Sequence, residues 1–293
     1  MNLNIKHLVI IGTGLIGGSL ALALRQAGVV ERITGVGRSA ENLRQAIELG
    51  VVDDVSHDAS TAVLDADMVV LAVPVGVYAV VFAEIAEHLR ADAVVTDVGS
   101  TKQSVLAAAQ QYLKCPNQFV PAHPIAGTEH SGAVAALASL FQDKMCILTP
   151  DTQTHADALA RVAAMWQCVG AKVENMDAKA HDGLLASVSH LPHLAAFAIV
   201  NAVRQCHQGD AAFRFAAGGF RDFTRIASSS PTMWRDIALC NRAAIVENID
   251  ALQAELSQLK DALQSEDGDM LLDKFEAAKQ ARDAWLAMSG DKL

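Results

Sequence analysis

The first 175 residues alternate short apolar runs with stretches in which apolar positions recur every three or four residues. His7–Ile11, Arg32–Val36, Met68–Val73, Ala93–Asp97 and Phe119–Ala122 are near-continuous, β-branched-rich runs and read as strands. Leu15–Gln26, Ala40–Leu49, Val77–Leu89 and Thr101–Leu113 fall between them with helical periodicity. Strands that are apolar on both faces and alternate with helices belong to a parallel sheet covered on both sides. Met145–Leu148 and Lys172–Glu174 read as later strands that complete this sheet.

After about Asn175 the strand signal stops. Asp177–Gln205 is a long apolar helical stretch, interrupted near Pro192. Ser230-Pro231 sets a capping residue before a proline at the first helical position, a helix start. Further on, Ile245, Ile249, Leu252, Leu256, Leu259 and Leu263 are spaced 4-3-4-3-4, a heptad seam. Two readings fit the seam, an amphipathic core helix or a helix shared with a second subunit. The apolar character of the whole helical half tilts towards the dimer. A terminal helix follows over roughly Asp269–Met288, and no internal repeat or low-complexity linker separates the halves.

Composition narrows the function. With 52% hydrophobic and 19% charged residues, the chain of 293 residues is globular and long enough for about two domains. The 33 acidic side chains outnumber the 23 basic ones, for a net charge of −10, and aromatic residues are only 5%. Binding to a nucleic-acid backbone is not expected of such a surface. An anionic small molecule would have to be held by few, well-placed cations. The five cysteines, Cys115, Cys146, Cys168, Cys206 and Cys240, form no metal or disulfide framework and read as thiols in a reducing compartment. Leu8–Leu24 carries no charge and follows Lys6, like a signal peptide, but four glycines interrupt it and no small-residue cleavage site follows. It reads as a buried strand turning into a helix. The expectation is a cytoplasmic protein with no membrane partner and no metal.

Chemistry enters at Gly12-Thr13-Gly14-Leu15-Ile16-Gly17, which follows a strand and opens a helix. Gly12 makes the tight turn, Gly14 lets backbone approach a pyrophosphate, and Gly17 lets helix and strand pack closely. In that context the motif binds a dinucleotide and marks a Rossmann-type domain. The second strand ends in Gly35-Val36-Gly37-Arg38-Ser39, with no carboxylate for a ribose 2′-hydroxyl. Arg38 can pair with a 2′-phosphate and Ser39 can hydrogen-bond it, which favours NADP over NAD; an exposed arginine without a role is the alternative. Asp97-Val98-Gly99-Ser100-Thr101-Lys102 places Ser100 at the carboxyl edge of the sheet, where such folds bind ligands, although a plain helix cap also explains it. His123, held in extended backbone by Pro124, sits at the next strand end. In the helical half, Ser189-His190-Leu191-Pro192-His193 puts two histidines three apart; a metal held with His181 as a third ligand is the lesser reading. Gly218–Arg225 reads as a cationic loop carrying Arg221 and Arg225, suited to an anion.

Taken in order, Gly12–Gly17, Asp97–Lys102, His123–Glu129, Ser189–His193, Gly219–Arg225 and Ser230–Trp234 resemble the prephenate/arogenate dehydrogenase family of tyrosine biosynthesis. The resemblance covers nearly the whole chain. It implies an α/β Rossmann-type N-terminal domain with a mostly parallel sheet (residues 1–175), followed by an all-α substrate and dimerisation domain (176–293). It also implies a homodimer and a small-molecule substrate: oxidative decarboxylation of prephenate to 4-hydroxyphenylpyruvate, or of arogenate to tyrosine. By the same resemblance His123 takes the ring-hydroxyl proton and Ser100 orients histidine, hydroxyl and nicotinamide. Arg225 would hold a substrate carboxylate, and Thr128, Glu129, Ser189, His193, Arg221 and Trp234 would line or gate the pocket. Gly12, Gly14, Leu15, Ile16, Gly17, Arg38, Ser39 and Val73 would bind the cofactor. The family often carries lysine at the position of Arg221, and Arg38 departs from its NAD-type acidic residue. With only the terminal helix read after Leu263, no fused regulatory or mutase domain is expected. A histidine acting as base must be neutral, so activity is expected to fall below its unperturbed pKa near 6.5. A β-hydroxyacid-dehydrogenase-like reductase and a non-catalytic NADP-sensing dimer remain as rival readings.

Overall fold

The computed structural model describes residues 3–128, 130, 132–206 and 209–289. In the first part of the chain β1 (Ile5–Ile11), α1 (Leu15–Gln26), β2 (Val30–Val36), α2 (Ala40–Glu48), β3 (Asp54–Ser56), α3 (Ala59–Ala62), β4 (Met68–Leu71), α4 (Tyr78–Ile85), β5 (Val94–Asp97), α5 (Gln103–Tyr112) and β6 (Phe119–Val120) succeed one another. Their strands form a six-stranded parallel sheet in the order β3-β2-β1-β4-β5-β6. The order reverses between β1 and β4. The connections leave in opposite directions there and open a crevice beyond the carboxyl ends of the strands. The central strands justify their apolar runs: Leu8, Val9, Ile10, Met68, Val69, Val70 and Leu71 are wholly buried, with helices on both faces.

The later strands do not complete this sheet, as their sequence suggested. β7 (Ala122–Pro124), β8 (Met145–Leu148) and β9 (Lys172–Asn175) form a separate three-stranded sheet, with β7 antiparallel to β8. The apolar run Phe119–Ala122 divides at Pro121, which has no N–H to give to a ladder; the chain leaves one sheet there and enters the other. α6 (Ala156–Cys168), which sequence reading passed over, spans the gap between β8 and β9 and buries Val162, Met165 and Trp166.

The helical remainder contains α7 (Ala178–Leu185), α8 (Leu191–Gln205), α9 (Gly209–Arg214), α10 (Gly218–Thr224), α11 (Pro231–Cys240), α12 (Arg242–Gln264) and α13 (Gly268–Ser289). α7 and α8 are one helix joined through a π turn, Ala186–His190, so the stretch is not broken at Pro192. Proline at the start of α8 lacks only a donor, and the widened turn absorbs its ring. The expected cationic loop is α10 followed by a 3-10 turn, Arg225–Ser228. Ser230 caps α11 as read, its Oγ accepting from Met233 N at 3.4 Å.

The chain divides into two compact units, Met1–Ala244 and Ile245–Leu293. In the second, the heptad residues are unevenly covered: Ile245 is buried, Leu252 and Leu259 are half-buried, and Leu256 and Leu263 are exposed. Among the described residues one helix, Ala178–Gln205, is long and apolar enough by length and composition to cross a membrane, and 22% of its apolar window is buried. It also carries His181, Asp182 and His190, all fully buried against the first part of the chain.

One buried ion pair ties the end of β5 to β7. Lys102 Nζ donates to Asp97 Oδ2 (2.5 Å) and to the Ala122 carbonyl (2.7 Å), and both side chains are fully buried. Asp97 also accepts from the backbone N–H of Gly99 (2.7 Å) and Ala122 (3.0 Å). Burial lowers the Lys102 pKa, and the Asp97 carboxylate opposes that shift. Removing the cation leaves a buried carboxylate without its counter-charge, a loss that costs about 3–5 kcal/mol. Lys102→Met is therefore expected to lower unfolding stability by that amount in urea titration, and a loss below about 1 kcal/mol would show that the pair holds nothing together.

Candidate active site at the sheet crevice

The glycine turn stands at the switch point. Gly12 has φ +108°, and a Cβ there would lie 2.4 Å from the Ala72 carbonyl oxygen; at Gly17 it would lie 2.1 Å from the Gly12 carbonyl oxygen. No side chain fits either place. At Gly14 a Cβ would meet nothing within 4 Å, and Gly14 opens α1 without any side-chain cap. The turn thus presents free N–H groups and the positive end of a helix to open space, a seat for a pyrophosphate. Asn42 braces it: Nδ2 donates to Thr13 Oγ1 (2.8 Å) and to the Thr13 carbonyl (3.1 Å), while Oδ1 accepts from Ala133 N (2.8 Å).

A cleft of about 420 Å³ extends from this turn. Gly14, Leu15, Ile16, Val73, Ser100, His123 and Thr128 line it, seven of the residues singled out by sequence. Ser229, Ser230, Met233 and Ile237, from the start of α11, close it and were not foreseen. Ser100 is not a helix cap. α5 begins after Lys102, and its first N–H groups, those of Lys102 and Gln103, donate to Asp182 Oδ1 (2.8 Å) and Oδ2 (2.9 Å) from α7.

His123 lies in β7, 9% exposed, paired across the ladder with Ile147. Its Nδ1 is 2.9 Å from His181 Nε2, and His181 Nδ1 is 2.9 Å from Asp182 Oδ1. Burial holds the His123 pKa well below 6.5, reinforced by His181, Lys102 and His190. The ring is accordingly neutral at ordinary pH, and the expected acid limit near 6.5 moves downward. Asp182 remains ionised: burial raises its pKa, but the His181 hydrogen bond and the two backbone N–H groups outweigh that and lower it. Asn241 Nδ2 donates to the Asp182 carbonyl (2.7 Å) and lies 3.2 Å from His190 Nδ1. Burial depresses the His190 pKa to about 4, so this ring is neutral too.

His193 and Trp234 stack, with ring centroids 3.7 Å apart and planes 22° apart. His193 Nδ1 donates to the Ser189 carbonyl at 2.9 Å, which orients the ring. Burial lowers the His193 pKa, and the positive charge of Arg225 adds to the shift. That puts Arg225 within electrostatic reach of this pair. Arg221 stands apart, 82% exposed and 3.4 Å from Asp222. Arg38 is exposed at the end of β2, outside the cleft, and Ser39 Oγ caps α2 by accepting from Asn42 N (3.2 Å). His57 Nδ1 donates to the adjoining Gly37 carbonyl at 2.8 Å. Glu129 lies outside the described residues. Asp182 and Asn241 were missed as site residues, and His181 was weighed only as a metal ligand, because nothing local in the sequence marks them: their partners are 51 to 80 residues away.

The family comparison agrees with this division of labour. Residues 20–175 match the prephenate dehydrogenase nucleotide-binding domain, and residues 177–277 match the prephenate dehydrogenase dimerization domain. The chain is 40% identical to cyclohexadienyl dehydrogenase of Zymomonas mobilis, over 94% of this chain and 95% of that one. It is 38% identical to prephenate dehydrogenase of Bacillus subtilis, over 97% and 77% respectively. In three dimensions it is similar to prephenate dehydrogenase from A. aeolicus in complex with hydroxyphenyl propionate and NAD+, with a TM-score of 0.90 and 34% identity over 97% of this chain and 99% of that one. A parallel sheet reversing at a glycine turn, a buried neutral histidine on the cleft and a helical second half are the features of a dehydrogenase, and the chain belongs to the prephenate dehydrogenase family.

Proposed function

We propose that this chain oxidatively decarboxylates prephenate, arogenate or both, with NADP preferred to NAD, as a cytoplasmic homodimer in tyrosine biosynthesis. The observation that carries the reading is His123: a buried imidazole, kept neutral, on the wall of a cleft that begins at a dinucleotide turn. The Gly12–Gly17 turn and Val73 hold the cofactor, and the bound nicotinamide supplies a hydride acceptor. His123 takes the ring-hydroxyl proton as the carbonyl forms, a contribution typically of ~10²–10⁴-fold. Ser100, on the same cleft wall, aligns the hydroxyl with the histidine. Arg225 holds a substrate carboxylate, Thr128, Ser189, His193 and Trp234 line the substrate side, and the exposed Arg221 is placed to gate it. Aromatisation drives loss of carbon dioxide, so positioning and one proton acceptor suffice.

The division at 175/176 is supported by the matched segments, which meet between residues 175 and 177, and by the last strand, which ends at Asn175. The helices of the first compact unit that follow this boundary complete the cleft. Dimerisation is supported by the name of the second matched domain and by apolar side chains left in water: Leu184, Val188 and Ile199 on one helix, and Leu256 and Leu263 on the seam. The buried polar face of the helix Ala178–Gln205 belongs to the site, so its apolar face is suited to a partner subunit rather than to lipid.

Purified protein supplied with prephenate or arogenate, each with NAD or NADP, should reduce cofactor in at least one of the four mixtures. No reduction in any of them removes the dehydrogenase reading, and NADP binding without turnover is the result expected of a sensor. Cofactor preference has a separate test. Arg38→Ala removes a charge-assisted contact worth about 1.5–3 kcal/mol, so KM for NADP should rise at least tenfold while that for NAD changes little. An equal rise for both cofactors would mean that Arg38 does not face a 2′-phosphate.

A further inference from the structure

We propose that His181 and Asp182 set the tautomer of His123, so that its Nε2 is the unprotonated nitrogen offered to the reacting hydroxyl. The inference rests on the reading of His123 as proton acceptor and adds two positioning residues to it.

Asp182 is buried and accepts four hydrogen bonds: from Lys102 N (2.8 Å), Gln103 N (2.9 Å), His181 Nδ1 (2.9 Å) and, at 3.5 Å, Gln103 Nε2. The two backbone donors are the first of α5, where the helix dipole adds to the attraction for a negative charge. An ionised carboxylate has no proton to give, so the proton in the bond to His181 resides on Nδ1. With His181 taken as the imidazole with a single N–H, its Nε2 presents a lone pair. The contact between His181 Nε2 and His123 Nδ1, 2.9 Å long, needs one proton, and His123 must supply it. That leaves the lone pair of His123 on Nε2. Since His123 lines the cleft and turns Nδ1 to His181, Nε2 is the nitrogen left for a ligand. The opposite order, an imidazolium at His181 donating to His123, would put an N–H on Nε2 and leave the substrate hydroxyl without an acceptor.

The arrangement also explains why these three side chains come from distant segments. His123 belongs to β7, His181 and Asp182 to α7, and Asp182 spans to the start of α5. Asn241, which ends α11, holds the α7 backbone at this point through the Asp182 carbonyl. The histidine is oriented by the helical half of the molecule, while the cofactor turn belongs to the other half.

The test uses the full-length protein with NADP bound. Nitrogen-15 NMR of labelled wild type should show His123 protonated on Nδ1 and bare on Nε2. His181→Leu removes the acceptor and should lower kcat about 10²-fold or more while KM for the dienol changes by no more than about threefold. His181→Gln, whose amide oxygen can accept from His123 Nδ1, should restore kcat to within about tenfold of wild type. A wild-type spectrum with the proton on Nε2, or a Leu variant with near wild-type kcat, overturns the inference. If the Leu variant fails to fold, the wild-type spectrum and the Gln variant still decide it. Absence of turnover by the wild type with every substrate and cofactor would instead defeat the functional reading, and the spectrum would still report the tautomer.

Discussion

A carboxylate buried between α7 and α5 holds the working parts of this molecule in register. Asp182 caps a helix of the nucleotide-binding half with an aspartate of the helical half and at the same time fixes His181. Burying a charge is costly unless every lone pair is used, and here two backbone N–H groups, an imidazole and the helix dipole use them. The same arrangement leaves His123 with its one proton directed inward. Losing the carboxylate would free the start of α5, disorient His181 and release His123 together.

The second constraint is charge. A chain with net −10 that handles phosphate and carboxylate groups must gather its positive potential locally. At the glycine turn the source is backbone, the free N–H groups opening α1 beside the uncapped Gly14. Arg38 stands exposed just past the end of β2, and Arg225 acts on His193 beside Trp234 on the helical side. Lys102, though central, contributes no free charge to the cleft because Asp97 neutralises it. Among the described residues, burial is the main force against protonation of His123 and keeps the base neutral without any free cation beside it.

How much of this was legible in the sequence follows from the range of each interaction. β1, β2, β4, β5, the glycine turn, the Ser230 cap and α13 rest on local pattern and were read close to their observed places. The three-residue edge strand β3 was missed because so short a run has no period to detect. β8 and β9 were found but given to the wrong sheet, since which neighbour a strand pairs with is a tertiary choice that Pro121 makes here. Gly218–Arg225 looked like a loop because paired glycines are weak helix formers, yet it is helical. Within the site, His123 and Ser100 stood out by their place at strand ends. The chain from His123 through His181 to Asp182 did not, because it joins positions far apart in sequence by contacts that only the fold creates.

The account stands on His123 being the group whose neutrality permits turnover. A base with a depressed pKa stays competent to lower pH, since protonation inactivates it only below that pKa. The dependence of kcat/KM on pH, measured for wild type and for His123→Asn, tests this directly. The account predicts a wild-type acid limb well below pH 6.5 that disappears in the variant, along with most of kcat. An acid limb at or above 6.5, or one that persists unchanged in His123→Asn, would contradict it.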